Sequence, residues 1–344
     1  MRISLIIPVF NAKSTLARVI DAVRQSSLQP DEFILVDDGS TDGSPQIAEQ
    51  PGLTVIVTGG RSGPAHARNL GARHASGDLL VFTDADVALQ PDALERIARR
   101  FAQEPSLDAL IGSYDQNPAD PGFVSQFKNL MHCFVHRHGN PNTWTFWCGC
   151  GAVKRCVFLE HGGLDESYTR PSIEDMEFGL RLHLAGGSLG LDPQIQGTHL
   201  KRWTLGNLVY TDVFQRGIPW TALVLKTGFV PDDLNLRQSQ RVSVALTGIV
   251  VLLCGLAVWQ SSFVWATGAF ALAAVICGIN HEFYAFLAAR RGWGFALAAA
   301  PLHLLYYCYS GVAFVIGLGG YLTSVLREMG RNRAFLARRG EDSR

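Results

Sequence analysis

Residues 242–279 carry no charged side chain. That is the strongest constraint on what this chain can become, because water-exposed connections within so long a run are almost confined to Gln260-Ser-Ser262. Residues 242–259 are 18 uncharged, mainly apolar residues, enough to cross about 27 Å as a helix. The short polar turn follows, and residues 263–279 can cross back. After Arg290-Arg291, residues 293–322 form a third long apolar stretch containing Pro301 and several glycines. One such run could be a buried core helix, but three in succession predict membrane spans.

Basic residues orient these spans. Arg290-Arg291 marks the connecting loop as cytoplasmic, which agrees with a cytoplasmic amino-terminal region. The tail, with Arg327, Arg331, Arg333, Arg338 and Arg339, favours the same side, yet three full crossings would put it opposite. Two resolutions follow: a hairpin or re-entrant break near residues 301–311, or a tail that defies the rule. The expected organisation is an amino-terminal domain over residues 1–205, an interfacial or linker segment over 206–241, transmembrane helices over 242–322 and a basic tail over 323–344. The 206–241 segment suits a membrane interface and, equally, a surface helix covering a sheet.

The first two-thirds read differently. Short β-branched runs at residues 3–9, 32–36, 53–57, 79–83 and 107–111 alternate with helical patterns at 65–75 and 92–101, so an α/β fold with a mostly parallel sheet and flanking helices is expected. Residues 123–135 and 173–185 read as further helices. The formal net charge is zero, which excludes bulk attraction to nucleic acid. Seven cysteines show no paired metal spacing, and Cys148-Gly-Cys150 is too close for a zinc knuckle. Reduced thiols on a cytoplasmic face account for them. Met1-Arg-Ile-Ser-Leu-Ile-Ile-Pro enters a strand at once, without a signal-peptide pattern.

The chemistry concentrates in Leu79-Leu-Val-Phe-Thr-Asp-Ala-Asp86. In extended chain, residues two apart share a face, so Asp84 and Asp86 converge at the carboxyl end of a strand, where open α/β sheets bind ligands. Adjacent carboxylates repel unless a cation lies between them, and Mg²⁺ or Mn²⁺ beside a diphosphate is the natural occupant. A solvated acidic turn is the plain alternative.

The ordered set Ile7-Pro-Val-Phe-Asn11, Val36-Asp-Asp-Gly-Ser-Thr-Asp-Gly-Ser44, Gly63-Pro-Ala-His-Ala-Arg-Asn-Leu-Gly71, Asp84-Ala-Asp86, Gly162-Gly-Leu-Asp-Glu166 and Glu174-Asp175 resembles the family 2 glycosyltransferases over about the first 205 residues. The resemblance implies a GT-A-like sheet, a nucleoside diphosphate sugar donor and inversion at the anomeric carbon. It implies that Pro8, Phe10, Asp38 and Arg68 serve the nucleotide, with Asp38 touching base or ribose and Arg68 reaching diphosphate or base. Asp84 and Asp86 would hold the cation, Asp86 directly. Asp175 would be the base that takes the acceptor proton, although Ser172-Ile-Glu-Asp175 also matches a helix capping box. Asp165 reads as structural or acceptor-contacting.

His199-Leu-Lys-Arg-Trp203 departs from the pattern of the family's processive members and of membrane ones resembling ceramide glucosyltransferase, in which Gln or Arg stands at the first position, and so leaves processivity open. His199 could be a third metal ligand, and Lys201 and Arg202 could neutralise phosphate. Trp144, Trp147, Gly149 and Glu174 fall where the family builds its acceptor pocket, although the aromatics equally suit a core. His132, His136 and His138 have partial helical spacing but no evident carboxylate or cysteine partner for zinc. The expected protein is a multi-pass membrane glycosyltransferase acting on a lipid or lipid-linked acceptor. The alternatives are a processive polysaccharide synthase and a catalytically inactive membrane scaffold.

Overall fold

The structure, a computed structural model, describes residues 1–341. Residues 342–344 of the expected tail lie outside the described residues, as do the side chains of residues 328 and 330–341, which include Arg331, Arg333, Arg338 and Arg339. The chain divides into two compact units: residues 1–205, 232–237 and 282–297 form the first, and residues 206–231, 238–281 and 298–344 the second.

The first unit is built on one eight-stranded sheet in the order β3-β2-β1-β4-β7-β6-β8-β5. The strands are β1 (Ile3–Val9), β2 (Glu32–Asp37), β3 (Thr54–Val57), β4 (Leu79–Thr83), β5 (Val87–Leu89), β6 (Ala109–Tyr114), β7 (Cys150–Lys154) and β8 (Leu189–His199). Around them lie α1 (Leu16–Arg24), α2 (Ser44–Ala48), α3 (Pro64–His74), α4 (Ala93–Gln103), α5 (Phe123–Arg137), α6 (Arg155–Glu160) and α7 (Glu174–Leu184). The mostly parallel expectation holds for β1 to β4, but the whole sheet is mixed. Four strand pairs are parallel and three antiparallel. The cause is visible in chain order. Regular crossover helices stop after β4, and β7 then returns beside it in the opposite sense, pairing Thr83 with Cys150.

Strand residues are apolar on both sides because both faces are covered. Leu5, Ile7, Leu35 and Val81 pack with Leu16, Val19 and Ile97 of α1 and α4. Ile6, Ile34, Val36 and Phe82 pack with Ala67 and Ala72 of α3 and with Phe158 and Phe178. The first unit also takes in most of α12 (His281–Arg291). Its Phe283 is buried and meets Phe127 and Phe134 of α5 at 6.0 and 5.2 Å between ring centroids. Arg291 donates to Gln126 Oε1 at 2.8 Å and to the Gln116 carbonyl at 3.0 Å.

The second unit is helical. It contains α8 (Leu205–Tyr210, from Gly206 on), a π-helical segment Thr211–Gly217, α9 (Ile218–Thr227), α10 (Gln238–Trp259), α11 (Phe263–Ile279) and, from residue 298 on, α13 (Trp293–Glu341). Two stretches, Gln238–Trp259 and Trp293–Arg327, are long and apolar enough to cross a membrane. The third expected span is weaker: α11 has 17 residues, about 26 Å at 1.5 Å per residue, and passes the same test only together with α12. The expected hairpin near residues 301–311 does not form, because α13 is continuous with Pro301 inside it. Proline removes one backbone hydrogen bond, and a long apolar helix can absorb that loss.

Polar groups within this unit are paired. Asn280 donates to Ser243 Oγ at 3.0 Å and accepts from Tyr307 Oη at 2.9 Å, while Tyr309 Oη donates to Asp212 at 2.8 Å.

Candidate active site

The site lies in the first unit at the carboxyl end of β4. Arg68, on α3, reaches it with its side chain only 6% exposed. Its guanidinium donates to Asp84 Oδ1 at 2.6 Å and to Glu174 Oε1 at 3.0 Å. One buried cation thus ties α3, the tip of β4 and the start of α7 together. An arginine fork suits two carboxylates at once, and the carboxylates in turn hold it protonated despite burial. Arg68, expected to reach the diphosphate or base, lies against these two carboxylates. Glu174, expected in the acceptor pocket, is buried and also accepts from the Ser172 backbone N–H at 2.9 Å.

Asp175 follows on α7. The alternative capping box is not what starts this helix: its N-cap is Ile173, without a side-chain cap. Asp175 instead turns to the site, where Oδ2 accepts from the Cys148 N–H at 3.1 Å and Oδ1 from the Met176 N–H at 2.8 Å. Burial, with Glu174 nearby, pushes its carboxyl up to about 7, against the pull of Arg68. Burial also raises the Cys148 thiol well above its usual range, so the thiol stays neutral beside these charges.

On the other side of the strand tip stand Asp86 and His199. Antiparallel pairing of β5 and β8 sets Val87 opposite His199, and the imidazole Nε2 lies 3.6 Å from Asp86 Oδ2. Burial would raise the Asp86 carboxyl, but the imidazole of His199 and the ammonium of Lys201 outweigh it and hold the group below the usual range. Tyr114 stacks on the His199 ring at 4.5 Å and 9°, and Asn129 Oδ1 lies 2.6 Å from Nδ1.

Among the described residues no cluster of three or more histidine, cysteine or acidic groups stands ready to enclose a metal. The pair fits a cation nonetheless. The Asn129 oxygen can only accept, so Nδ1 carries a proton, and a metal ion in place of any proton on Nε2 would find that nitrogen and a carboxylate oxygen 3.6 Å apart. Mg²⁺ and Mn²⁺ commonly take one or two protein ligands and complete their shell with substrate phosphates.

The end of the site expected to take the nucleotide is built from three loops. Phe10, just past β1, is 37% exposed, and the Arg61 guanidinium lies 4.3 Å above its ring. Pro8 is the penultimate residue of β1, in register with Val36. Asp38 is buried and its carboxylate grips the loop before α3, accepting from the Ser62 and Gly63 N–H groups at 2.8 Å each and from Thr58 Oγ1 at 3.1 Å. It therefore shapes the loop that carries Arg61 and caps neither its own turn nor α2.

Trp144 is buried, whereas Trp147 is partly exposed and meets Tyr114 edge-on at 4.7 Å. Gly149 has to be glycine here, because a Cβ would fall 2.5 Å from the Trp147 ring. The Lys201 ammonium sits 4.2 Å above the Trp203 ring. The Arg202 side chain is 81% exposed, with Asp120 at 4.0 Å. Asp165 accepts from the Ser167 N–H and Glu166 from His66 and Asn69 of α3, so this motif braces α3. His136 and His138 point their Nδ1 atoms at the carbonyls of Gly112 and Phe134. Tyr114, Asn129 and Arg61 escaped the sequence reading. Tyr114 had the signal of ending a strand, while Asn129 had none, since its role depends on α5 crossing β8.

Residues 4–162 match the family model described as "Glycosyl transferase family 2". The chain carries a family 2 glycosyltransferase domain. An uncharacterized glycosyltransferase of Haemophilus influenzae is 28% identical over 194 residues, covering 52% of this chain and 61% of that protein. The undecaprenyl-phosphate 4-deoxy-4-formamido-L-arabinose transferase of Serratia proteamaculans is 29% identical over 165 residues, 45% of this chain and 50% of that protein. The matches thus span only part of these relatives' lengths. Among solved structures, the Pyrobaculum calidifontis mannosyltransferase PcManGT, in complex with GDP-Man and Mn²⁺, superposes with a TM-score of 0.60 at 21% identity, covering 92% of this chain and 87% of that one. S. aureus TarS gives a TM-score of 0.51 at 17% identity, covering 92% of each chain. The family 2 domain therefore has the GT-A-like fold.

Proposed function

We propose that this chain is a membrane-anchored, metal-dependent, inverting glycosyltransferase that moves a sugar from a nucleoside diphosphate donor to a lipid acceptor. The observation that carries the reading is the bridge from Arg68 to Asp84 and Glu174, which gathers Asp175 on one side of the β4 tip while Asp86 and His199 stand on the other. Phe10 would stack against the base, and Arg61 and Asp38 would define the edge of that pocket. Lys201 and Arg202 would meet the diphosphate. Asp86 and His199, with Asp84 nearby, would hold the cation, which when bound would offset the charge of the departing nucleoside diphosphate.

Inversion needs the acceptor oxygen to arrive opposite the leaving group and to lose its proton as it does so. Asp175 suits this task. Its carboxyl titrates near neutrality, and the Cys148 N–H holds it in one orientation. Arg68 lies close enough to stabilise the carboxylate without consuming it.

The acceptor atom is then a hydroxyl. A phosphate oxygen would need no base, and it would meet the carboxylates of Asp84, Glu174 and Asp175 grouped around Arg68. The relative named for undecaprenyl phosphate and the two apolar helices support a lipid or lipid-linked acceptor, whichever oxygen receives the sugar, and we place the catalytic domain on the cytoplasmic face. The test is to incubate the detergent-solubilised full chain with a panel of nucleotide sugars, Mn²⁺ and lipid extract, then analyse the lipid product. A glycoside that survives mild acid is expected. An acid-labile glycosyl phosphate would overturn the hydroxyl assignment, and absence of transfer with every donor would overturn the activity.

A further inference from the structure

Asn129 is an odd residue to find where it is. It sits on α5, 1% exposed, and its amide nitrogen has no hydrogen-bond partner among the described residues. Burying an unpaired N–H costs stability, and an apolar residue of the same shape would avoid that cost. What Asn129 does supply is its oxygen, 2.6 Å from His199 Nδ1. A carbonyl oxygen carries no hydrogen, so the ring nitrogen must donate, and in the neutral imidazole the lone pair is then left on Nε2.

The ring cannot easily turn away. Tyr114 lies flat against it at 4.5 Å, Trp203 is 6.1 Å distant, and β5–β8 pairing fixes its backbone. Nε2 consequently faces Asp86 Oδ2 at 3.6 Å, the ring position left to take either a second proton or a metal ion.

We propose that Asn129 is a positioning residue for the cation site: its side-chain oxygen holds His199 in the tautomer and orientation that aim an unprotonated Nε2 beside Asp86 at a divalent ion. This deepens the metal-dependent reading above and rests on it. Outer partners of this kind typically change metal affinity about 10- to 100-fold.

The experiment measures Mn²⁺ binding to the detergent-solubilised full chain, without nucleotide, by the loss of the free-ion EPR signal. Pulsed EPR then detects ¹⁴N coupling from a coordinated imidazole. Wild type should show that coupling, and H199A should lose it. N129L should bind Mn²⁺ about 10- to 100-fold more weakly with diminished nitrogen coupling. N129D, whose carboxylate can accept from Nδ1–H, should restore both. Should N129L lack a cooperative melt, N129A carries the same comparison. The proposal is overturned if the Asn129 variants match wild type in affinity and coupling while D86A loses the ion. If D86A itself binds Mn²⁺ like wild type, the cation reading falls and this proposal falls with it.

Discussion

Asp175 carries two opposed demands. As the proposed base it must be ionised, yet burial and Glu174 lift its carboxyl to about 7. Turnover at saturating substrate should therefore rise about tenfold per pH unit below that value and level off above it, as a pH–rate profile would reveal. Stability should move the other way. The folded protein binds this proton more tightly than the unfolded chain, so the contribution is full below the ordinary aspartate range and is lost as pH rises through about 7. Asp175→Asn should accordingly lose several orders of magnitude in kcat while melting at or above the wild-type temperature at pH 8. Normal turnover would remove Asp175 from the mechanism. A lower melting point at pH 8 would mean that its charge is better compensated than its surroundings suggest.

At the scale of single elements, α7 has to approach the loop before β7 closely enough for Asp175 to meet the Cys148 N–H. Gly179, one turn further along, permits this: a Cβ there would lie 2.1 Å from the Phe146 nitrogen and 2.6 Å from the Thr145 carbonyl carbon. These are backbone atoms that no rotamer change can move. Gly179→Ala should cost about 1–3 kcal/mol and lower kcat more than it raises KM for the donor, because the helix carrying Asp175 must back away. An unchanged melt and unchanged kcat would mean that α7 has slack. Gly63 serves α3 similarly. Its φ of +102° and a Cβ placed 2.7 Å from the Thr169 carbonyl rule out alanine without a shift, and the loop gripped by Asp38 should loosen in Gly63→Ala. Weaker donor binding in a titration would register this.

For the whole molecule, the exposed apolar residues of the second unit decide what surrounds it. Val258, Trp259, Phe263, Val264 and Phe270 are each more than three-quarters exposed or nearly so, at 82, 79, 89, 75 and 78%. Large apolar side chains this exposed point to a membrane or protein partner rather than water around these helices. The full chain should sediment with membranes, resist extraction at alkaline pH and need detergent to stay monodisperse. Recovery as a soluble monomer without detergent would refute the membrane assignment.

What could be read from the residues alone was whatever short-range physics dictates. The apolar runs marked strands buried on both faces, and the uncharged stretch marked long apolar helices. Asp84-Ala-Asp86 marked two carboxylates after a strand, but they lie in a turn past β4, Asp84 on Arg68 and Asp86 beside His199, rather than converging on one strand face. Register and return paths depend on contacts distant in sequence, and those only the folded chain decided. The sheet became mixed because β7 came back antiparallel, and α13 stayed whole because its own hydrogen bonds outlast one proline. Arg68 clamps Asp84 and Glu174 because the fold brings Glu174, 106 positions away in sequence, to its guanidinium. Asn129 acquired a part to play because α5 happens to cross β8 at His199, a coincidence in space that no local pattern of residues encodes.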